Sequence, residues 1–377
     1  MNGTTLNSHV HQCKVLIVSP HFTTKGGIQN YCKTIHTKLA SDVEMFFIGP
    51  KRENEPGWLL LPRLVSGNVR FLLRLMRGGV DVVHINTSLV SKSLLREGVL
   101  LLVTRLFPVK TLVFFHGWSK DVEKTVGTTF RQVFRWVFGS TDLVIVLAQD
   151  FKAALRRIGL MMPIQVETTF VDDHVFGSLD EEAITRRTNG TIHRPTLLFL
   201  SRVLRAKGIF ETLAAFALVK KNHPDVRLIV AGEGEDMEEA KRVVASGNLA
   251  DVDFVGFVHD ERKKAVLLES DVYILPTQYG EGLPISMVEA MICGLPVLTR
   301  PVGGIPDFFE DKKMGFLING LEAREYAASI ELLLSNTEMK QTISLYNHRY
   351  ARTRFMSTTA AGRLDAYYNE LRQGLST

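Results

Sequence analysis

Short apolar runs that end in turn residues recur along the whole chain. None of them alternates apolar and polar positions, which is typical of parallel strands buried on both faces of a sheet. The runs span residues 14–20, 45–50, 81–87, 111–117, 142–148, 196–202, 226–234, 252–257, 271–277, 295–300 and 314–318. Helical patterns, such as the one at residues 210–222, separate most of the runs. This order predicts an α/β protein built on doubly wound parallel sheets.

The alternation of strands and helices weakens between Asp172 and Pro195, where the sequence is polar and has no strand-like run. A chain of 377 residues is also longer than one ordinary core requires, so we predict two Rossmann-like domains. The predicted boundaries are 1–175 for the N-terminal domain, 176–195 for a linker, 196–357 for the C-terminal domain and 358–377 for a terminal helix that could pack back on the N-terminal domain. Ligands of open α/β sheets bind at the carboxyl ends of the strands, so candidate functional residues should lie there.

The composition is that of a globular protein, with 45% hydrophobic and 23% charged residues. The three cysteines, Cys13, Cys32 and Cys293, form no metal-binding or disulfide pattern. The first residues lack the basic and apolar regions of a signal peptide, and the longest apolar run, residues 98–103, is far too short to cross a membrane. We therefore expect a cytoplasmic protein.

Charge is distributed unevenly between the two halves of the chain. Residues 1–190 hold 23 Lys and Arg against 16 Asp and Glu, a balance of +7, whereas residues 191–377 hold 22 against 24, a balance of −2. The two balances add up to the net charge of +5. A basic first half favours an anionic neighbour, such as a membrane surface, a polyanion or a phosphorylated substrate.

Glycines and cations follow two of the predicted strands. Gly26 and Gly27 lie between the first strand and a helix, where adjacent glycines let backbone amides approach an anion. Arg202 ends a later strand and Lys207 precedes the next helix, so the two cations could straddle a diphosphate. Each feature also has a plain structural explanation, namely a flexible loop and two solvated cations. We expect the nearby Arg205 to face solvent.

Residues 271–300 have the pattern of a strand, a loop, a helix and a second strand. The helix should begin near Pro284 or Ile285, since proline suits the first turn, which places Glu281 in the loop and Glu289 about one turn into the helix. The helix N-terminus could bind an anion through Gly282, Leu283, Pro284 and Ile285. Carboxylates on either side could then hold sugar hydroxyls. The alternative is a capping carboxylate and a solvated helical glutamate.

His116 ends the fourth apolar run and is followed by a glycine, so its side chain could reach into a cleft. A lone histidine is more often structural. Asn86 and Thr87 close the preceding run and could line the same cleft.

Taken together, these motifs resemble those of retaining glycosyltransferases of the GT-B architecture, in glycosyltransferase family 4. The resemblance covers most of the chain and is densest over residues 196–307. The elements similar to those of the family are the E-x7-E pair Glu281 and Glu289, the cations Arg202 and Lys207, the glycines Gly26 and Gly27, and residues 301–309.

The resemblance implies a role for each candidate. The implied catalytic residues are His116, Arg202, Lys207 and Glu281. Arg202 and Lys207 would bind the donor diphosphate, and Gly26 and Gly27 would lie on the phosphate side. Glu289 would contact the ribose. The donor sugar would be contacted by Glu281 and by the backbone of Gly282, Leu283, Pro284 and Ile285. His116 would lie near the sugar and the acceptor.

The same resemblance implies the substrates and the conditions of the reaction. The donor would be a UDP- or GDP-sugar, the acceptor a glycan or lipid-linked hydroxyl, and the pathway the synthesis of cell-surface polysaccharide or glycolipid. Members of the family work with retention of configuration and without a metal, so no cofactor and no metal site are expected. No nucleic-acid partner is expected, because the chain has no recognisable nucleic-acid module.

Two departures from the family pattern limit the transfer of roles. The last strand of the first domain usually ends in Asn-Gly-Val-Asp, and the corresponding residues here are Thr169, Phe170, Val171 and Asp172. The usual companion of the glycine loop is here Gln29.

Basic amphipathic patterns in the first half suggest contact with an anionic membrane. Arg70, Arg74 and Arg77 recur at helical spacing, and so do Arg131 and Arg135 beside an apolar stripe. The alternative is an ordinary surface helix whose arginines cover a core face. A lipid-linked acceptor would suit peripheral attachment to the inner face of a membrane.

Two other functional classes remain open. One is a sugar-nucleotide epimerase or hydrolase with the same architecture, which would form product without an acceptor. The other is a non-catalytic protein that binds a nucleotide sugar, against which the full set of charged site residues argues.

Overall fold

The computed structural model describes residues 12–24, 26–51, 60–189, 194–280 and 282–374. The chain divides into two compact units. Unit 1 comprises Met1–Val146, Phe151–Val166 and Ala360–Thr377, and unit 2 comprises Leu147–Asp150 and Glu167–Thr359.

Unit 1 is a parallel sheet of six strands in the order β2-β1-β3-β4-β5-β6. Its elements are β1 Lys14–Ser19, α1 Gly27–Ile35, β2 Asp42–Phe47, α2 Leu60–Met76, β3 Val82–Leu89, α3 Ser91–Thr104, β4 Lys110–Trp118, α4 Lys120–Thr128, α5 Arg131–Phe138, β5 Leu143–Val146, α6 Gln149–Ile158 and β6 Ile164–Val166. The central strands β1, β3, β4 and β5 are buried almost throughout, whereas the edge strand β2 is partly exposed.

Unit 2 holds a second parallel sheet of six strands, in the order β12-β11-β10-β7-β8-β9. Its elements are α7 Asp173–Phe176, α8 Glu181–Asn189, β7 Thr196–Leu200, α9 Ile209–Asn222, β8 Arg227–Ala231, α10 Met237–Ser246, β9 Val252–Gly256, α11 Asp260–Leu268, β10 Val272–Leu275, α12 Ile285–Ile292, β11 Val297–Thr299, α13 Ile305–Phe308, β12 Gly315–Leu317, α14 Ala323–Ser335 and α15 Thr337–Arg354. Helix α16, Ser357–Gln373, follows, and its residues from Ala360 onward group with unit 1.

Each of the eleven apolar runs overlaps a parallel strand, so the prediction of doubly wound parallel sheets is confirmed. The sequence pattern missed β6. That strand has only three residues, and only Ile164 among them is buried, so it leaves almost no apolar signal.

The stretch expected to be a linker, 176–195, is largely helical and part of unit 2. Helix α8 packs against α15 with Ile184 fully buried. The guanidinium of Arg187 donates to the Ser270 carbonyl at 2.6 Å and to the Gly294 carbonyl at 2.9 Å. These contacts, rather than an apolar stripe, hold the helix in place.

Helix α16 is anchored within unit 1 by one carboxylate and one aromatic ring. The Asp365 carboxylate accepts hydrogen bonds from the backbone amides of Ala40 and Ser41, at 2.8 and 3.0 Å. The Tyr368 side chain is fully buried, and its hydroxyl lies 2.6 Å from Nδ1 of His84 on β3.

Candidate active site

The loop after β7 carries the two predicted diphosphate cations. Beyond Arg202, the backbone forms a 3-10 turn over Arg205–Lys207 and passes into α9 through Gly208. Gly208 has φ +84°, and a Cβ there would lie 2.5 Å from the Pro276 carbonyl oxygen, so glycine is required for this close approach. The approach brings the segment after β10 beside the cations, where the Gln278 amide donates to the Ala206 carbonyl at 2.8 Å.

Arg202 and Lys207 converge on one aromatic ring. The Arg202 guanidinium carbon lies 5.7 Å and the Lys207 ammonium 4.5 Å from the centroid of Tyr279. Lys207 is buried, Arg202 is exposed and Tyr279 is half-exposed. The face of the Tyr279 ring attracts both cations and keeps them close to each other. The sequence reasoning did not identify Tyr279, although its place two residues before Glu281 was a usable signal.

Arg205, in the same turn, faces solvent as expected. Its guanidinium pairs with the Glu239 carboxylate at 2.7 Å and lies 4.2 Å from the Phe210 ring centroid. It therefore points to different partners from Arg202 and Lys207.

Helix α12 begins at Ile285, as the sequence predicted, with Pro284 in an extended conformation before it. Proline has no N–H, so only Gly282, Leu283 and Ile285 of the predicted anion-binding segment can donate from the backbone. The Leu283 side chain is buried, and that of Ile285 is exposed. Glu281 lies outside the described residues, so its predicted contact with the donor sugar stays a prediction.

Glu289 is buried, which excludes the alternative of a solvated helical glutamate. Its Oε1 accepts a hydrogen bond from the ammonium of Lys263 on α11. Burial raises the pKa of the Glu289 carboxyl, and the Lys263 ammonium acts in the opposite direction. The sequence reasoning missed Lys263, because 26 residues separate it from Glu289.

The glycine loop of unit 1 leads into α1, which begins at Gly27. A Cβ at Gly26 would lie 2.3 Å from the side-chain oxygen of Gln29, whereas a Cβ at Gly27 would have no atom within 4 Å. Gln29 in turn donates to the Thr24 hydroxyl at 2.8 Å. Gln29, which departs from the family pattern, thus stabilises the glycine loop through its hydrogen bond to Thr24.

His116, at the carboxyl end of β4, is packed among aromatic and polar side chains. Its ring stacks on Phe114 at 3.9 Å between centroids and meets the edge of Tyr31 at 4.6 Å. Its Nε2 lies 2.7 Å from the side-chain oxygen of Asn86 on β3. Burial lowers the pKa of His116 to about 3, so the ring is neutral at ordinary pH. Thr87, the other polar residue at this strand end, is buried.

The structure thus brings the predicted residues together in two places. Within unit 2, Arg202 and Lys207 share the Tyr279 ring. Within unit 1, His116 and Asn86 are bonded at the carboxyl ends of neighbouring strands. Cations, a helix N-terminus and a buried carboxylate form a set suited to a diphosphate and a sugar diol.

Comparison with known proteins agrees with this chemistry. Residues 181–349 match the family model described as Glycosyl transferases group 1. This region is similar to the group 1 glycosyltransferases, in agreement with the family and the enzyme class that the motifs of the chain indicate. Assignment to family 4 and retention of configuration stay predictions.

A curated relative and two solved structures extend the comparison. The chain is 25% identical over 288 residues to the amylovoran biosynthesis glycosyltransferase AmsK of Erwinia amylovora, covering 74% of this chain and 66% of AmsK. Alignments with other curated relatives span between 49% and 60% of those proteins. Sucrose-phosphate synthase from Thermosynechococcus elongatus is 21% identical, with a TM-score of 0.72 over 96% of this chain and 100% of that chain. HepE from Anabaena in complex with UDP is 20% identical, with a TM-score of 0.73 over 95% of this chain and 100% of that chain. The predicted GT-B fold is confirmed.

Proposed function

We propose that the protein is a retaining, metal-independent glycosyltransferase. It moves a sugar from a UDP- or GDP-sugar to a hydroxyl of a glycan or lipid-linked acceptor, in the synthesis of cell-surface polysaccharide or glycolipid. The observation that carries the proposal is the convergence of Arg202 and Lys207 on Tyr279, in the unit that also holds the buried carboxylate of Glu289. The description of HepE in complex with UDP and the name of AmsK support the donor and the pathway.

Each site residue has a separate task in this proposal. Arg202 and Lys207 bind the diphosphate, and the backbone N–H groups of Gly282, Leu283 and Ile285 assist them. Glu289, paired with the Lys263 ammonium, accepts hydrogen bonds from the ribose hydroxyls. Glu281 holds the sugar, while Gly26 and Gly27 approach the phosphates.

The proposed reaction exchanges one bond at the anomeric carbon for another. The bond from that carbon to the diphosphate oxygen breaks, and Arg202 and Lys207 neutralise the negative charge that develops on the leaving group. A bond forms from the same carbon to the acceptor oxygen on the same face of the sugar. The proton of the acceptor hydroxyl passes to the departing phosphate oxygen, and the anomeric configuration is retained.

A donor screen tests this function. The protein is incubated with UDP- and GDP-sugars, beginning with UDP-glucose, with and without a chelator and an acceptor, and the released nucleotide is measured. We expect chelator-resistant release that depends on the acceptor, with a retained configuration in the product. Release without an acceptor would indicate a hydrolase, an altered sugar an epimerase, and binding without turnover a non-catalytic protein.

Three substitutions of cations in the loop after β7 test whether the activity depends on this site. We expect Arg202→Ala and Lys207→Met each to lower kcat/KM by about 100-fold or more, because a charge that stabilises the leaving group is lost. Arg205→Ala is the matched control, since Arg205 is a cation of the same turn that pairs with Glu239. Equal losses in all three variants would contradict the assignment.

We further propose that unit 1 attaches peripherally to an anionic membrane through α2, α3 and α5. Helix α3 packs against both α2 and α5. These helices expose the apolar side chains Val65, Val69, Leu73, Met76, Leu95, Val99, Val133 and Trp136. Their sequences hold seven basic residues and one acidic residue, Glu97, which is fully buried. Exposed apolar side chains on helices that also carry cations suit an anionic bilayer surface.

Two of the arginines that the sequence suggested for membrane contact bond to other groups of the protein. Arg74 is held by the Glu44 carboxylate, at 2.6 Å, and Arg131 donates to the Ile158 carbonyl at 3.0 Å. Exposed apolar side chains therefore contribute more than the helical arginine spacing suggested. Among the described residues, none of the helices is long and apolar enough to cross a membrane.

Vesicle flotation tests the attachment. We expect the protein to float with vesicles that contain anionic phospholipid and not with neutral vesicles, and the paired change Leu73→Glu with Leu95→Glu to abolish flotation. Leu332→Glu is the control, because Leu332 is an exposed leucine of α14 in unit 2. Dimerisation without flotation would instead show that this face binds a second copy of the chain.

A further inference from the structure

A buried asparagine fixes the hydrogen-bonding state of His116. The Asn86 side chain is 1% exposed, and its Nδ2 donates to the Val18 carbonyl on β1 at 3.1 Å. A carbonyl can only accept, so the orientation of the amide is determined. Its oxygen Oδ1 then faces Nε2 of His116 at 2.7 Å. An amide oxygen is also only an acceptor, and Nε2 of His116 must therefore carry the hydrogen.

The surroundings of the ring favour its neutral form. Phe114 covers one face of the ring, and Tyr31 of α1 meets its edge. Among the described residues, the titratable groups that face it are Tyr31 and His84, and both burial and His84 lower the pKa of His116. A neutral imidazole with hydrogen on Nε2 has an unprotonated Nδ1, which can accept a hydrogen bond.

We infer that Asn86 is a positioning residue that selects this tautomer, so that Nδ1 of His116 accepts a hydrogen bond from a substrate hydroxyl. The inference rests on the proposed function for its substrate, since both the sugar donor and the acceptor carry hydroxyls. Among the described residues Nδ1 has no hydrogen-bond partner, and the ring is only partly buried. His116 also lies at the carboxyl end of β4, the edge at which ligands of such sheets bind.

The tautomer decides what His116 can do in the reaction. A ring with so low a pKa is a weak base, so it orients a hydroxyl and does not remove its proton. A hydroxyl can donate to Nδ1, whereas a group that only accepts, such as a phosphate oxygen, is rejected there. His116 therefore recognises a sugar or acceptor hydroxyl and leaves the diphosphate to Arg202 and Lys207.

Nuclear magnetic resonance tests the tautomer without any substrate. Long-range proton–nitrogen correlation spectra of the histidine-labelled protein distinguish the two neutral tautomers from the protonated ring. We expect His116 to be neutral with hydrogen on Nε2 throughout the range from about pH 5 to 8. Hydrogen on Nδ1, or protonation within that range, would overturn the inference. The His116→Gln spectrum identifies the signal by its loss.

Amide substitutions at His116 test which ring nitrogen the substrate uses. An asparagine side chain places a polar atom near the position of Nδ1, and a glutamine side chain places one near that of Nε2. We expect His116→Asn to keep kcat/KM within about tenfold of the wild type and His116→Gln to lose about 100-fold. Equal losses in the two variants would overturn the role of Nδ1.

Changing Asn86 tests the positioning role itself. Asn86→Ala should release His116 into a mixture of both tautomers and lower kcat/KM about tenfold. An unchanged tautomer in a folded Asn86→Ala protein would overturn the inference. If Asn86→Ala does not fold, the spectrum of the wild type and the comparison of His116→Asn with His116→Gln still test the inference. Failure of every donor to react would refute the proposed function, while the tautomer would still be measured separately.

Discussion

At the scale of single residues, Lys263 opposes the effect of burial on the pKa of Glu289. Burial raises the pKa of the Glu289 carboxyl, and the Lys263 ammonium opposes that rise. Lys263→Met leaves burial unopposed, so the carboxyl takes up a proton at a higher pH and loses capacity to accept ribose hydroxyls. We expect this variant to bind UDP about tenfold more weakly at neutral pH. Its affinity should also begin to fall at a higher pH than that of the wild type when the pH is lowered.

Titration calorimetry with UDP across a series of pH values checks this prediction. Lys264→Met is the matched control, because Lys264 is the next lysine of α11 and bonds to the Ser178 hydroxyl at 3.2 Å instead. If Lys263→Met and Lys264→Met show the same pH dependence, Lys263 does not control Glu289.

Tyr279 gives a second prediction at this scale. The ring attracts Arg202 and Lys207 through its face, and phenylalanine presents a similar face. We expect Tyr279→Phe to bind UDP nearly as well as the wild type and Tyr279→Ala to bind it about threefold to thirtyfold more weakly. Calorimetric dissociation constants measure both. A large loss in Tyr279→Phe would show that the hydroxyl, and not the ring face, is required.

Sequence position identified some of these residues and could not identify others. Arg202 and Lys207 lie in the loop that follows β7, so the rule that ligands bind at carboxyl ends of strands was enough to predict them. Lys263 and Tyr279 matter because of what they touch, and those contacts form only when α11 and the segment after β10 fold beside the site. Spacing along the chain carries no sign of such contacts.

At the scale of elements, α8 depends on one arginine. The Arg187 guanidinium is buried and donates to the carbonyls of Ser270 and Gly294. Arg187→Ala removes both donors and leaves two carbonyls without them, which should lower the free energy of unfolding by about 2–4 kcal/mol. Urea denaturation measures the change.

The neighbouring Arg186 provides the control for this prediction. Its guanidinium is 71% exposed and lies 3.7 Å from the Glu182 carboxylate, an exposed pair that contributes little. Arg186→Ala should therefore leave the urea midpoint nearly unchanged. Equal destabilisation by both variants would mean that α8 is sensitive to charge and not to the two carbonyl bonds.

The failure to predict α8 has a physical cause. Helix prediction from sequence depends on a repeating apolar face, and α8 buries only Ile184 of its strongly apolar side chains. Its other contacts include Arg187, which bonds to distant carbonyls, and Glu181, which pairs with Arg349, and a pattern of apolar positions does not register such contacts. The buried strands, in contrast, consist largely of continuous apolar runs, so a pattern of apolar positions was enough to predict them.

At the scale of the whole molecule, the sequence predicted two parallel sheets and a terminal helix that could pack back on the N-terminal domain, but it placed residues 167–175 in that domain and 176–195 in a linker. The apolar runs are local signals, and each one overlaps a strand of one of the two sheets. Residues 167–195 group with unit 2 and the end of α16 with unit 1, although neither assignment follows from chain order. Long-range contacts such as the one between Tyr368 and His84 decide them.

The burial of His84 makes the stability of the protein depend on pH. Burial lowers the pKa of His84 to about 3, from an ordinary value of 6.5, so the unfolded chain binds a proton that the folded chain excludes. The stability gained from a neutral His84 is complete above pH 6.5 and is lost as the pH falls towards 3. Each pH unit below 6.5 should cost about 1.4 kcal/mol from this group alone. His84→Asn keeps a polar side chain but cannot titrate. Urea unfolding between about pH 7 and 4 should therefore show a steeper acid loss in the wild type than in His84→Asn, and equal slopes would mean that His84 is not kept neutral by folding.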